Sequence, residues 1–455
     1  MLAVIGRRRV GKTFLVRTVY KEFISFEITG MQQSSQKEQL KDFSYQLSQI
    51  SKMGKQQPTP GNWQEAFRQL AAVLDQLKTT SKKVLFFDEL PWLASRKSGF
   101  LPALDHFWNT WASKKNIIVV ICGSAASWMI DKVIHHKGGL HNRVTKLITL
   151  APFTLSETDT FLKSRKINLD YYQIIQISMA MGGIPHYLKE IKPGLSAAQN
   201  IDQICFGKNG LLQDEFTKLY SALFDNADKH ISVIRSLASK WKGLTRNEIV
   251  SLSHLTDGGR LTRVLSELIS SGFITAYLPF GKKKKDSLFR LTDEYSLFYI
   301  RFIEKQQKSG TNLWLNISRS PTWKSWSGFA FESICMKHSE NIKHALGISG
   351  VYSEESSYIY KGDKNNDGFQ IDLLIDRQDA VINMCEMKFY SGEFTIDKSY
   401  ATELRNKISR FKEHTGTNKN LLLTFISSFG LKKNSHSIGL ADNDLKMDIF
   451  FKSNE

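Results

Sequence analysis

Residue types spaced for phosphate chemistry occur near both ends of the chain. The first group is Gly6-Arg7-Arg8-Arg9-Val10-Gly11-Lys12-Thr13, a GxxxxGK[ST] run. Its glycines let backbone N–H groups turn toward phosphate oxygens, Lys12 neutralises the β and γ phosphates, and the Thr13 hydroxyl can ligate magnesium. Asp88 and Glu89 complete that chemistry. Asp88 would hold the magnesium, usually through water, and Glu89 would polarise the attacking water, because in-line phosphoryl transfer needs a metal and an aligned nucleophile. Alone, the pair reads equally well as an acidic turn ending a strand. Beside the loop it reads as the metal-and-water half of an ATP site.

The second group is Asp372, Glu386 and Lys388. Residues 370–376 and 380–389 alternate as two strands around a turn at Arg377-Gln378-Asp379. If the turn centres on Asp379, Asp372 and Glu386 lie opposite one another, and Lys388 shares the face of Glu386 by the two-residue strand period. Asp372 and Glu386 would supply hard oxygen ligands for magnesium. Lys388 would position or activate water and stabilise a pentavalent phosphorane. By itself a Glu-x-Lys in a strand is most often an ion pair. Lys407 and Arg410, on a helix after these strands, either reach the same phosphate or are simply solvated.

The elements that must position these groups can be traced along the chain. Leu2 to Ile5 reads as a buried strand running into the loop, and Phe14, Leu15, Val16 and Val19 carry helical apolar spacing after it. The helix's N-terminus adds positive potential at the phosphates. Val84 to Phe87 is a buried-strand run whose C-terminal end presents Asp88 and Glu89, the end at which parallel sheets bind ligands. Ile117 to Cys122 is a further strand ending in Gly123-Ser124. Ser124 would contact the γ phosphate or the attacking water, or else cap the strand-to-helix turn. Arg143, before the strand-like Lys146 to Leu150, is either a trans-acting arginine finger, which requires a homo-oligomer, or the partner of a surface carboxylate.

A basic middle segment follows. Thr245 caps a helix, and the next helical stretch places Leu261, Val264, Leu265, Leu268 and Ile269 on one face with Arg260 and Arg263 outside. Phe273–Leu278 and Ser287–Leu291 read as strands joined by a hairpin whose tip carries Lys282, Lys283, Lys284 and Lys285. This is the pattern of a winged helix, with a helix for the major groove and a basic wing for the backbone. The alternative is a solvated turn whose lysines prevent edge pairing.

The 455 residues are too many for one core, and 41% apolar with 23% charged residues excludes wholesale disorder. Of the net charge of +18, residues 1–150 hold +12 and residues 231–310 hold +7, whereas residues 311–455 are neutral. Positive charge confined to two segments favours DNA as the macromolecular partner. No apolar stretch approaches the roughly 18 residues a membrane span needs. Cys122, Cys205, Cys335 and Cys385 lie far apart, which argues against a disulfide framework and for a reducing cytoplasm.

Through GRRRVGKT, VLFFDELPWL, VICGSAASWM and APFTLSE the chain resembles the archaeal and bacterial ATPases of the AAA+/STAND group. Gly182-Gly183-Ile184-Pro185 is similar to the GxP element of their helical lid, and the resemblance implies that Pro185 packs against the nucleotide base. Read from its residues alone, that segment is a helix-to-helix turn. Asp372, Glu386 and Lys388 resemble the D…ExK of the PD-(D/E)xK nuclease superfamily, with Glu332 as the acidic residue on the preceding helix, although Ile371 stands where a proline is usual. The expected architecture is therefore α/β and multidomain. A parallel-sheet ATPase core fills residues 1–155, a helical lid 156–228, a winged helix 229–310 and a restriction-endonuclease-like domain 311–455. The resemblance implies an ATP- and magnesium-dependent ATPase, coupled either to DNA cutting or to a non-cutting switch.

Overall fold

A computed structural model of the chain describes residues 1–51, 57–77, 81–95, 97–134, 140, 142–306, 312–362 and 368–452. They form two compact units: residues 1–151 with 222–225 and 266–271, and residues 152–221, 226–265 and 272–455.

In the first unit, β1 (Leu2–Ile5), β2 (Ile24–Thr29), β3 (Lys83–Asp88), β4 (Ile117–Gly123) and β5 (Lys146–Thr149) form one parallel sheet in the order β2-β3-β4-β1-β5. The apolar run Val84–Phe87 is fully buried because such a sheet is covered on both faces. Its side chains divide by the strand period. Leu85 and Phe87 join Phe26, Phe43, Phe67 and Phe100 on one face, while Val84 and Phe86 join Val4, Val16, Val120 and Cys122 on the other. Strand β2 was not among the expected strands, although Ile24, Phe26 and Ile28 alternate with polar residues along it. It is an edge strand, held parallel to β3 through Thr29 opposite Asp88.

The second unit opens with helices. Thr154 caps Leu155–Ser164 in a capping box with Glu157. Gly183 joins helix Tyr171–Met181 to the short helix Pro185–Leu188, the helix-to-helix turn expected there. A Cβ at Gly183 would lie 1.9 Å from the Phe153 carbonyl oxygen, so glycine is required by close approach of two backbones.

Farther along, β6 (Leu244–Thr245), β7 (Ile274–Tyr277) and β8 (Leu288–Leu291) make a small antiparallel sheet in the order β6-β8-β7. Helix Gly259–Ser270 buries Leu261, Val264, Leu265 and Leu268. Ile269 departs from the expected face and is 39% exposed, because the buried stripe is narrower than the sequence suggested.

The C-terminal sheet is mixed, in the order β13-β12-β11-β10-β9, with β9 (Ser353–Tyr360), β10 (Phe369–Arg377), β11 (Val381–Lys388), β12 (Asn420–Ser427) and β13 (Asn443–Lys446). Strands β10 and β11 form the expected antiparallel hairpin. Strands β11 and β12 are parallel, so the chain crosses over between them through helix Lys398–Thr415. Helix Pro321–Lys337 packs on β11. No helix among the described residues is long and apolar enough to cross a membrane.

Candidate functional site

The phosphate-binding loop joins β1 to helix Lys12–Val19 at the C-terminal edge of the parallel sheet. A Cβ at Gly6 would fall 2.3 Å from the Leu150 carbonyl oxygen, so only glycine lets the loop leave β1 beside β5. Arg9 (φ 73) and Gly11 (φ 95) are left-handed, the backbone a loop needs to wrap its N–H groups round an anion. Buried Lys12 donates through Nζ to the Arg7 carbonyl at 2.9 Å. Burial lowers the pKa of its ammonium, and the negative charges of Glu89 and Asp88 act against that shift.

Asp88 and Glu89 sit where the sequence placed them. Thr13 donates through Oγ1 to Asp88 Oδ2 at 2.7 Å, so the hydroxyl and carboxylate suited to share a magnesium ion are already adjacent. Glu89 holds φ 47 and ψ 51, a costly conformation for a residue with a side chain. Ser124 donates to Glu89 Oε2 from both its backbone N–H (3.0 Å) and its hydroxyl (2.8 Å). Ser124 therefore orients the glutamate, an arrangement that neither sequence-level alternative anticipated. Arg143 Nε lies 3.6 Å from Asp105 Oδ1, a contact of the surface-pair kind. Its neighbour His141 lies outside the described residues. Pro185 opens its helix in the second unit.

The second cluster forms where helix Pro321–Lys337, the β10–β11 hairpin and helix Lys398–Thr415 meet. The ladder pairs Leu373 with Cys385, and one step further sets Asp372 opposite Glu386 as the turn arithmetic required. The β9–β10 register shifts between Ile371 and Leu374. That irregularity falls at Asp372, and bulges of this kind re-aim side chains beside functional sites.

Glu386 is 6% exposed and heavily contacted. Its Oε1 accepts from Lys388 Nζ at 2.8 Å and from the Tyr400 hydroxyl at 2.6 Å, and its Oε2 accepts from Lys407 Nζ at 3.1 Å. Burial alone would raise its pKa, yet the charges of Lys388 and Lys407 pull it down to about 2. Glu332 behaves oppositely: burial, reinforced by the charge of Asp372, lifts it to about 8. Burial and the charge of Glu386 likewise raise Asp372.

Glu332, Asp372, Glu386 and Lys388 all line one cavity of about 1080 Å³, together with Lys407 and Arg410. Lys407 thus joins the site directly, resolving the question of whether it is merely solvated. Tyr400 and Arg290 were not anticipated. Arg290 lies on β8, and its positive charge opposes the upward shifts of both Glu332 and Asp372.

Asp372 and Glu386 are hard oxygen donors, as magnesium prefers. Among the described residues no group of three or more His, Cys, Asp or Glu side chains is gathered to enclose an ion. The pair fits an ion that keeps several waters or substrate oxygens. Arg260, Arg263 and Lys282 to Lys285 are exposed on helix Gly259–Ser270 and at the β7–β8 connection.

Residues 1–191 match the model of an ATPase domain found predominantly in Archaea. An uncharacterised protein of Methanocaldococcus jannaschii is 22% identical over 343 residues, spanning 73% of this chain and 71% of that protein. Among solved structures, a Walker-type ATPase of Pyrococcus abyssi aligns at 16% identity over 66% of this chain and 91% of that one, with a TM-score of 0.49. The Aeropyrum pernix ORC2 protein in its ADPNP–ADP complexes aligns at 14% identity over 66% of this chain and 86% of that one, with a TM-score of 0.40. The match to an archaeal-type ATPase domain covers the parallel-sheet unit that carries the GxxxxGK[ST] loop at residues 6–13.

Proposed function

We propose that the chain is an ATP-hydrolysing protein that couples nucleotide occupancy to a magnesium-dependent phosphodiesterase site acting on DNA. ATP and magnesium would be held by Gly6 to Thr13 with Asp88, and Glu89, steadied by Ser124, would take the proton of the attacking water. Pro185 would support the base. The reading of the second unit is carried by one observation: three carboxylates, Lys388 and Lys407 converge in a single large cavity. Bound magnesium would there supply charge neutralisation for the scissile phosphate. Asp372 and Glu386 would hold it, Lys388 would orient the water, and Glu332, protonated near neutral pH, would donate a hydrogen bond or proton.

DNA grip would come from the segment that resembles a winged helix, through Arg260, Arg263 and Lys282 to Lys285, since residues 311–455 carry no net charge. A second reading, a nucleotide-dependent switch that holds DNA without cutting it, is favoured by the occupied lone pairs of Glu386. Purified protein incubated with plasmid DNA, ATP and magnesium separates the two. Metal-dependent cleavage that Asp372→Asn removes supports the first, and ATP turnover without cleavage supports the second.

A further inference from the structure

A smaller cavity, about 280 Å³, adjoins the carboxylate cluster and shares Glu332, Asp372 and Gln370 with it. Its walls come from helix Pro321–Lys337, strands β9 and β10, and strands β7 and β8 of the small antiparallel sheet. The sheets meet directly here, because Phe280 N–H donates to the Ser357 carbonyl at 2.8 Å and the Phe280 ring packs 5.5 Å from that of Phe411.

Three features of this cavity call for a ligand. The first is a set of buried polar atoms that lack a protein hydrogen-bond partner: Ser333 Oγ, Ser356 Oγ and Gln370 Oε1 all belong to residues lining it, and Ser333 is only 4% exposed. Buried hydrogen-bonding groups are nearly always paired, so several such atoms round one void point to an occupant with a polar edge. The second is an aromatic wall. Trp241 and Phe329 stack with ring centres 5.4 Å apart and planes 2° from parallel, and both line the cavity. The third is Arg290. Among the described residues its side-chain hydrogen bond goes to the Met336 sulfur at 3.1 Å, a weak acceptor that leaves most of the guanidinium's five donors for something else.

A polar edge, a flat apolar face and a cation are the three things a nucleotide needs. The volume is near the lower limit of about 300 Å³ for small-molecule sites, enough for one nucleoside and too little for a base pair. We propose that this cavity is a nucleoside pocket: an unpaired nucleotide beside the scissile phosphate leaves its neighbours, its base entering against Trp241 and Phe329 and its phosphate meeting Arg290. The inference rests on the phosphodiesterase reading of the carboxylate cluster and narrows its substrate to strands with an unpaired nucleotide, such as single-stranded DNA or a frayed end. An intact duplex presents no base that can enter. Stacking serves every base, so little sequence preference accompanies the pocket.

The test uses the full chain without divalent metal, which suspends cutting, and DNA oligonucleotides carrying fluorescent 2-aminopurine. A single strand should bind about tenfold more tightly than a blunt hairpin duplex of equal length, within the range of one stacked base, and its fluorescence should change on binding. Thr275→Trp fills the cavity from an exposed strand position that tolerates aromatics, and it should abolish both the preference and the fluorescence change. Gln370→Leu, close in shape, should reduce the preference by a few fold. Equal affinity for the two DNAs, or a preference that survives both substitutions, would overturn the pocket. Cleavage with magnesium is scored separately: an unpaired-strand preference without any cutting sinks the phosphodiesterase reading and leaves the pocket, whereas cutting without preference sinks the pocket alone.

Discussion

The GxxxxGK[ST] loop and the carboxylate cluster are built by different means. At the loop of residues 6–13 the anion-binding surface is backbone, shaped by left-handed residues at the end of a buried strand, with Lys12, Thr13 and Asp88 adding a few side-chain contacts. At the carboxylate cluster the working groups are side chains from separate elements: Arg290 from β8, Glu332 from a helix, Asp372 and Glu386 from paired strands, and Lys407 from the crossover helix. A backbone site depends on local conformation and tolerates drift in distant parts of the chain. A side-chain site depends on tertiary packing, and its charges are balanced against one another in a buried space, so removing any one of them shifts the rest.

That difference sets the expected consequences of substitution. Lys12→Ala should lower ATP turnover by about 100-fold or more, since it removes the cation facing the transferred phosphate, while leaving the melting behaviour of the second unit unchanged. Asp372→Asn should do the reverse, sparing ATP turnover measured by phosphate release and removing the proposed DNA cutting. Equal loss of ATP turnover in both variants would break the division of labour. Glu386→Ala should destabilise the second unit by about 3–5 kcal/mol in urea titrations, because Lys388 and Lys407 would be left facing one another without their shared carboxylate. A change under about 1 kcal/mol would show that solvent reaches those ammoniums easily.

The opposite pKa shifts sharpen the contrast further. Glu332, raised to about 8 from an ordinary value of 4.5, favours folding in its protonated form. Its contribution is complete below about 4.5 and is lost as pH rises through about 8. Glu386, lowered to about 2, contributes above 4.5 and loses that contribution only as pH falls toward 2. The stability of the second unit should therefore decline between pH 5 and pH 8, as followed by chemical denaturation at a series of pH values. Glu332→Gln, which stays neutral throughout, should flatten that decline. A wild-type curve already flat over this interval would mean that Arg290 and solvent hold Glu332 ionised.

The same contrast decides what could be read before the fold was known. The backbone site was legible because its residues are contiguous and follow the apolar strand Leu2 to Ile5; the helix after the loop forms as expected, but of its apolar residues only Val16 is buried, and Phe14 and Val19 are exposed. The Asp372–Glu386 pairing was legible because a tight hairpin fixes register by counting from its turn. Tyr400 and Arg290 were not, since each reaches the cluster from an element whose own residues give no sign of the neighbour it will meet. Tyr400 follows the N-cap of its helix by a few residues, where an aromatic reads as ordinary packing. Arg290 reads as one more basic residue in a basic hairpin. Strand β2 escaped for a different reason: Ile24, Phe26 and Ile28 alternate with polar residues, so it lacks the continuous apolar run that marked β3 and β4.

The smallest effect concerns the β7–β8 tip. Lys282 to Lys285 are all exposed, and Lys283 and Asp286 close the turn through the Lys283 N–H and the Asp286 carboxylate at 3.3 Å. Because the tip is already held by this local bond, neutralising the lysines as Lys282→Gln, Lys283→Gln, Lys284→Gln and Lys285→Gln should leave folding and ATP turnover intact. If the tip tracks a DNA backbone, affinity should fall, and the slope of its logarithm against the logarithm of salt concentration should drop by about 0.9 for each phosphate that a lysine no longer neutralises. An unpaired-strand preference set by the Trp241 cavity should persist through that change, because counterion release is indifferent to whether a base is stacked. An unaltered slope would assign the lysines to solubility and edge protection alone. A lower slope with the preference also abolished would mean that tip and cavity act on the DNA as one surface.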